Sequence, residues 1–245
     1  MDNGTVCRRV TAGAALWGLQ WRSLPPDRLG AELGGQWWRC AVVTLAAAPY
    51  GATIGWWTSG RLALYAAIKL PLVLLATAML TLGVCWVMAR LLGWRVGLDL
   101  AATLVLLPLA VASVILLSLA PVSALFTLSA PAPESAARLT HNLLYLTHTG
   151  LVGVAALAGT TALWRLLRLL LADRRRADLI FILWLAAYAV VGGEVAWALR
   201  PFVGSVYEEV RFLRPNALEG NVYEFVLEDI VPYLATGAKP DGGNS

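Results

Sequence analysis

LIFILWLAAYAVVGGEVAWAL, residues 179–199, is the stretch whose reading decides the fold. As a helix rising about 1.5 Å per residue, it is long enough to cross the roughly 30 Å hydrocarbon core of a bilayer. One residue in it is charged, Glu194. An intramembrane carboxylate costs a few kcal/mol unless it is paired, protonated or hydrated, so it marks a functional site by default.

The rest of the chain fits that setting. Hydrophobic residues are 59% and charged residues 14% of 245 positions, and the mean hydropathy is +0.68. Soluble domains carry about 25% charged residues, so the class is an all-α polytopic membrane bundle. The net charge of +4 is no nucleic-acid signal, because in a membrane chain the placement of charge is what matters.

Three more apolar runs are plain: 62–92 with Pro71, 96–120 with Pro108, and 139–163. A fifth, 40–57, is weakened by Ala, Gly and Pro49. Charge placement arbitrates between four spans and five. With five, one side receives twelve basic residues: Arg8, Arg9, Arg22, Arg28, Arg39, Arg90, Arg95, Arg165, Arg168, Arg174, Arg175 and Arg176. The other receives six, Arg61, Arg138, Arg200, Arg211, Arg214 and Lys239, while Lys69 lies within a span. With four spans the basic N-terminal segment would move to the poorer side. The positive-inside rule therefore favours five, with the N-terminus cytoplasmic and the C-terminus extracytoplasmic. Tryptophans at span ends (Trp37, Trp38, Trp56, Trp57, Trp86, Trp94, Trp164, Trp197) match interfacial belts.

Three regions follow: a cytoplasmic segment 1–39, a bundle 40–200 and an extracytoplasmic tail 201–245. In the first, Val10, Ala14, Trp17 and Trp21 share a helical face flanked by arginines. That reads either as a helix lying on the inner surface or as a loosely ordered tail. MDNGTVCRRV lacks the apolar core of a cleavable signal, so the chain is expected to insert by its own spans. In the tail, Leu199-Arg200-Pro201 recurs as Leu213-Arg214-Pro215, and Val206-Tyr207-Glu208 as Val222-Tyr223-Glu224. Asn221 and Glu224 resemble a capping box ahead of an apolar stripe, Val222, Phe225, Val226 and Ile230. A short amphipathic helix on the membrane surface or on a partner is expected, with Tyr207, Phe212, Tyr223 and Phe225 as contact residues.

Counting inward from the outer span ends puts Glu194, Lys69, His148 and Tyr50 in one slab roughly 8–14 Å deep. The reading is a polar layer in which Lys69 pairs with Glu194, and His148 or Tyr50 bonds nearby. Lys69 snorkelling to the headgroups is the competing arrangement. Gly51 and Gly55, and likewise Ala189 and Gly193, form small-xxx-small faces that let helices approach closely, within one chain or between chains.

No catalytic residue, metal site or cofactor is expected. His141 and His148, seven apart on a helix, stand about 10 Å apart along its axis, too far to share one ion at ~2 Å bond lengths. HExxH, CxxC and P-loop patterns do not occur. Cys7, Cys40 and Cys85 show no metal-ligand spacing and lie on the reducing side.

YGATIGWWTSGRLALYAAIKLPLVLLAT (50–77) and GGEVAWALRPFVGS with FLRPNALEGNVYEF (192–225) resemble a family of small bacterial polytopic membrane proteins. That resemblance implies a bacterial cytoplasmic (inner) membrane as the location. The topology is also similar to that of Yip1-like five-span proteins, a likeness of span number and tail rather than of motif. That second resemblance implies a non-enzymatic role in membrane organisation or partner recruitment; neither supplies catalytic residues. Two functions stay open. One is a scaffold or assembly subunit binding other membrane subunits or itself. The other is a small oligomeric transporter or channel using Lys69, Glu194 and His148.

Overall fold

The computed structural model describes residues 36–131, 133–202, 211–213 and 223. Five helices carry the described chain: α1 (Gln36–Trp56), α2 (Gly60–Leu91), α3 (Leu98–Ser129), α4 (Pro133–Leu170) and α5 (Arg174–Ala198). The expected all-helical architecture is present. By length and hydropathy α2, α3, α4 from Thr140, and α5 are each able to cross a membrane, and α1 falls short of that measure. The proposed surface helix at Val10–Trp21, Tyr207, Phe225 and the stripe 222–230 lie outside the described residues, apart from Tyr223.

Local chemistry sets the helix ends. Ser59 caps α2 by accepting from the Leu62 amide at 3.1 Å. Asp173 caps α5 by accepting from the Arg175 and Arg176 amides, a carboxylate placed where the helix dipole favours it. At the far end of α2, Gly93 takes φ +78°. Its amide donates to Arg90 O and that of Trp94 to Ala89 O, both at 2.9 Å. That is the Schellman pattern, which needs a left-handed residue where Gly93 stands.

Two boundaries differ from expectation. The third span, expected to stop at Ala120, continues as α3 through Pro121 to Ser129. Thr127 donates to the carbonyls of Ser123 and of Thr53 in α1, which ties the added turns to α1. The connection to α4 shrinks accordingly to residues 130–132, and α4 extends to Leu170 rather than Leu163.

The packing has a definite register. α1 runs antiparallel to α2: a Cβ on Gly51 would sit 2.5 Å from Ala66 O, and one on Gly55 2.5 Å from Leu62 O. It runs parallel to α3, with Gln36 bonded to Asp99 and Thr103 at one end and Trp57 to Pro131 O at the other. α4 lies against α3, where Gly159 meets the Pro108 carbonyl. α5 runs antiparallel to α2. Trp184 Nε1 donates to Cys85 O at 3.0 Å, Gly192 abuts Thr77, and the chain past the helix end reaches Lys69 through Pro201.

Two apolar clusters result. Towards the Arg39 end of α1, Cys85, Val96, Leu104, Leu163, Leu167, Ile180 and Trp184 pack α2, α3, α4 and α5 together. Towards the Trp57 end, Ala47, Tyr50, Ile54, Leu70, Leu116 and Ala155 join α1 to α2, α3 and α4, with Phe202 laid against them.

Candidate functional site

The buried polar residues at the Trp57 end form a network across three helices. Tyr50 comes from α1, Ser123 from α3 and His148 from α4. The Tyr50 hydroxyl lies 3.3 Å from His148 Nδ1, and the Ser123 hydroxyl 3.4 Å from the same nitrogen. Tyr50 and His148 also meet edge-on, ring centroids 5.9 Å apart. Ser123 touches Thr53 at 2.5 Å, and Thr53 donates to Tyr50 O. His148 is 5% exposed and Ser123 is wholly enclosed. Buried bonds of this kind tie α1, α3 and α4 together. His141, two turns nearer the start of α4, packs against Trp57 at 6.1 Å.

Lys69 sits near the same level and is 0% exposed. The expected Lys69–Glu194 pair does not form. Among the described residues no carboxylate lies within ion-pair distance of Lys69. Its ammonium donates instead to Pro201 O at 2.9 Å and lies over the rings of Phe202 and Phe212, at 5.8 and 5.2 Å. Phe212 meets Tyr65 edge-on, and Arg61 lies over Tyr65. Residues 61, 65 and 69 of one α2 face thus receive the returning chain. The cation stands where α5 ends, at the negative pole of its dipole.

The register explains why the pairing fails. With Cys85 level with Trp184 and Thr77 with Gly192, Glu194 falls level with Leu75. That is six residues, or about 9 Å, further into the bundle than Lys69. Counting from span ends misjudged it because α2 begins at Gly60, well beyond the level at which α5 stops. Tyr50, His148 and Lys69 do share a layer; Glu194 does not belong to it.

Glu194 is half-buried on α5 and, among the described residues, has no basic partner within ion-pair distance. Further along α5, Tyr223 donates its hydroxyl to Ala189 O at 3.0 Å. The Tyr223 phenol is raised above the ordinary tyrosine value, first by partial desolvation and then by the Glu194 carboxylate. Of the residues expected as partner or surface contacts, Phe212 lies over Lys69, and Tyr223, 39% exposed, bonds α5.

The two small-residue motifs divide likewise. Gly51 and Gly55 face α2 within the chain. Ala189 is exposed and Gly193 half-buried on α5, while Gly192 is the glycine that meets α2.

Sequence reading missed Ser123, Thr53, Thr127, Pro201 and Phe202. The i, i+4 hydroxyls of Ser123 and Thr127 were the available signal for a polar helix face. It also missed the other end of the bundle, where Arg168 holds Asp178 through two bonds of 2.9 and 2.7 Å and Trp164 donates to the same carboxylate. Among the described residues no group of three potential metal ligands converges. No family model matches the chain, and no curated protein or solved structure is significantly similar to it.

Proposed function

We propose that this protein is a non-catalytic assembly subunit of a membrane complex, binding other membrane proteins through α5. The carrying observation is how differently its intramembrane polar groups are used. Lys69 and His148 are met inside the chain, by Pro201 O with two phenylalanine rings and by Tyr50 with Ser123. Glu194 is left without an intramolecular counter-charge among the described residues, on the helix whose apolar stretch is least covered. A transport path would require Lys69, Glu194 and His148 to line one route. The displacement of Glu194 from the layer of the other two speaks for assembly instead.

The topology belongs to the same reading. It takes α1 as the first of five spans, a reading supported by the parallel run of α1 along α3 and its antiparallel run along α2 from Gln36 to Trp57. The arginine-rich ends then face the cytoplasm, and the end of α5 that meets Lys69 through Pro201 lies towards the outside. This arrangement agrees with a bacterial cytoplasmic membrane and with the five-span resemblance noted above.

Single cysteines at Ala186 and Val190, cross-linked in intact membranes, test the assembly reading. A discrete adduct from these positions, absent from cysteines on the α1 side, is the expected result. Only unreacted monomer from every position, together with Glu194-dependent ion flux in vesicles, would favour transport. Thiol labelling at Ser59 from the outside alone checks the topology.

A further inference from the structure

The corner joining α4 to α5 carries more positive charge than its own fold uses. Arg165, Arg168, Arg174, Arg175 and Arg176 lie close together in sequence there. One of them is engaged within the chain. Arg168 holds Asp178 by two bonds with its guanidinium 4.2 Å over the Trp164 ring, and Trp164 donates to the same carboxylate. That node ties the end of α4 to the start of α5, with Leu171 and Ala177 buried beside it. The other four arginines are exposed, and among the described residues none has a carboxylate within ion-pair distance. Three of them fill the first turn of α5, at the positive pole of its dipole, where a cation is unfavourable. Asp173 offsets part of this by capping the Arg175 and Arg176 amides, and no acidic side chain stands within that turn. The arrangement costs the isolated chain stability, and an anion from outside relieves it.

The adjoining surface names the kind of anion. Arg175, Leu179 and Ile182 stand at i, i+4 and i+7, on one helical face, and Leu179 and Ile182 are exposed large apolar residues. Arg165 is exposed on α4 between the exposed Leu157 and Leu169. On both helices, then, positive charge passes directly into apolar surface. A soluble phosphate would use only the arginines, whereas a lipid with a phosphate head uses both. We propose that this corner binds an anionic phospholipid, its phosphate received by Arg165, Arg174, Arg175 and Arg176 and its acyl chains laid along Leu179 and Ile182. Guanidinium forks suit phosphate oxygens, and the pairing is stronger at the edge of an apolar medium than in open water. The α2–α3 connection is the weaker seat. It bears only Arg90 and Arg95, Arg90 lies over Trp86, and Asp99 stands in the turn that follows. The site is separate from the assembly face, being at the opposite end of α5 from Glu194.

The test uses the full-length protein, purified folded and reconstituted into phosphatidylcholine vesicles, so that the orienting effect of arginines during insertion plays no part. Trace spin-labelled phosphatidylglycerol and phosphatidylcholine report lipid association by electron spin resonance. The unaltered protein is expected to prefer phosphatidylglycerol by about fivefold, the attraction that one surface arginine provides. Replacing Arg174, Arg175 and Arg176 together by Gln should bring that preference below about twofold. Replacing Arg90 and Arg95 by Gln should leave it in place. Asp173→Asn keeps a capping oxygen and removes the carboxylate, so it should raise the preference, which a merely structural role for the corner does not predict. Equal association of the two lipids with the unaltered protein overturns the proposal without any variant needing to fold, and would turn attention to an acidic protein segment. An equal loss on replacing Arg90 and Arg95 also overturns it, since the preference would then belong to that whole end of the bundle. Inorganic phosphate that displaces the labelled lipid, where chloride at equal ionic strength does not, would make the ligand a soluble anion instead.

Discussion

α1 and α5 invert the relation between hydropathy and enclosure. α5 is long and apolar enough to cross a membrane, yet only 11% of its most apolar window is buried, against 61% for α3. α1 falls below that hydropathy measure, yet Val43, Ala47 and Tyr50 are completely covered. The reason lies in the solvent. In a bilayer, lipid tails are as apolar as leucine, so hydrophobicity brings a helix into the membrane without drawing it to another helix. Close packing and interhelical hydrogen bonds do that. The Ala, Gly, Thr and Pro that lower the hydropathy of α1 allow its backbone to lie against Ala66 and Leu62, while Thr53 bonds α3 through its hydroxyl to Ser123 and through its carbonyl to Thr127.

The sharpest way to break this contrast is to enlarge α1 at its contact with α2. A Cβ on Gly51 or Gly55 lands 2.5 Å from a backbone oxygen, which has no flexible end to move aside. Gly51→Leu is expected to lose the folded bundle, and Gly51→Ala to cost about 1–3 kcal/mol or more, measured by thermal unfolding in detergent. Gly192→Ala on α5, whose Cβ would meet Thr77 at an ordinary 3.4 Å, should change stability by less than about 1 kcal/mol. Equal effects at the two sites would remove the distinction between an enclosed and an open helix.

Next in size is Lys69→Met. A hydrogen bond from a charged donor contributes about 1.5–3 kcal/mol, and this one ties Pro201 to α2. Protease cleavage near residues 200–213 should rise severalfold while the helix content stays constant. Unchanged cleavage would mean that Phe202 packing alone holds the chain there. Tyr50→Phe and His148→Ala should show a coupling of about 0.6–1.7 kcal/mol in a double-mutant cycle, the range of interhelical hydrogen bonds in membranes. Zero coupling would leave Ser123 as the operative partner of His148.

What could be read in advance followed from composition and one-dimensional patterns. The all-helical class, the positions of the apolar runs and the GxxxG at Gly51 each rest on residue type at fixed spacing. The shared layer of Tyr50, His148 and Lys69 was legible because their spans end at similar depths there. The Lys69–Glu194 pairing failed because depth was measured from Leu62, whereas α2 projects past the end of α5 by more than two turns. Nor does a sequence show azimuth. That Phe212 folds back on Lys69, or that Ala189 looks outward while Gly192 looks in, depends on which face each helix turns to its neighbours. The end of α3 was placed too early because Pro121 reads locally as a stop signal, and the tie from Thr127 to Thr53 O of α1 is a contact between helices that a local reading does not include.

The smallest stability effect is expected where the largest functional one lies. Glu194→Gln removes a charge with no intramolecular counter-charge among the described residues, so no ion pair among them is lost. Unfolding should shift by no more than about 0.5 kcal/mol, as for substitutions away from structural contacts. Lys69→Met, at the level where α5 ends, should by contrast destabilise measurably while leaving partner adducts from Ala186 intact. Two intramembrane charges about 9 Å apart in depth would thus separate cleanly, one serving the fold and the other association. If Glu194→Gln destabilises the isolated chain as much as Lys69→Met does, Glu194 belongs to the internal structure after all. α5 would then be held by its own bundle as firmly as α1 is.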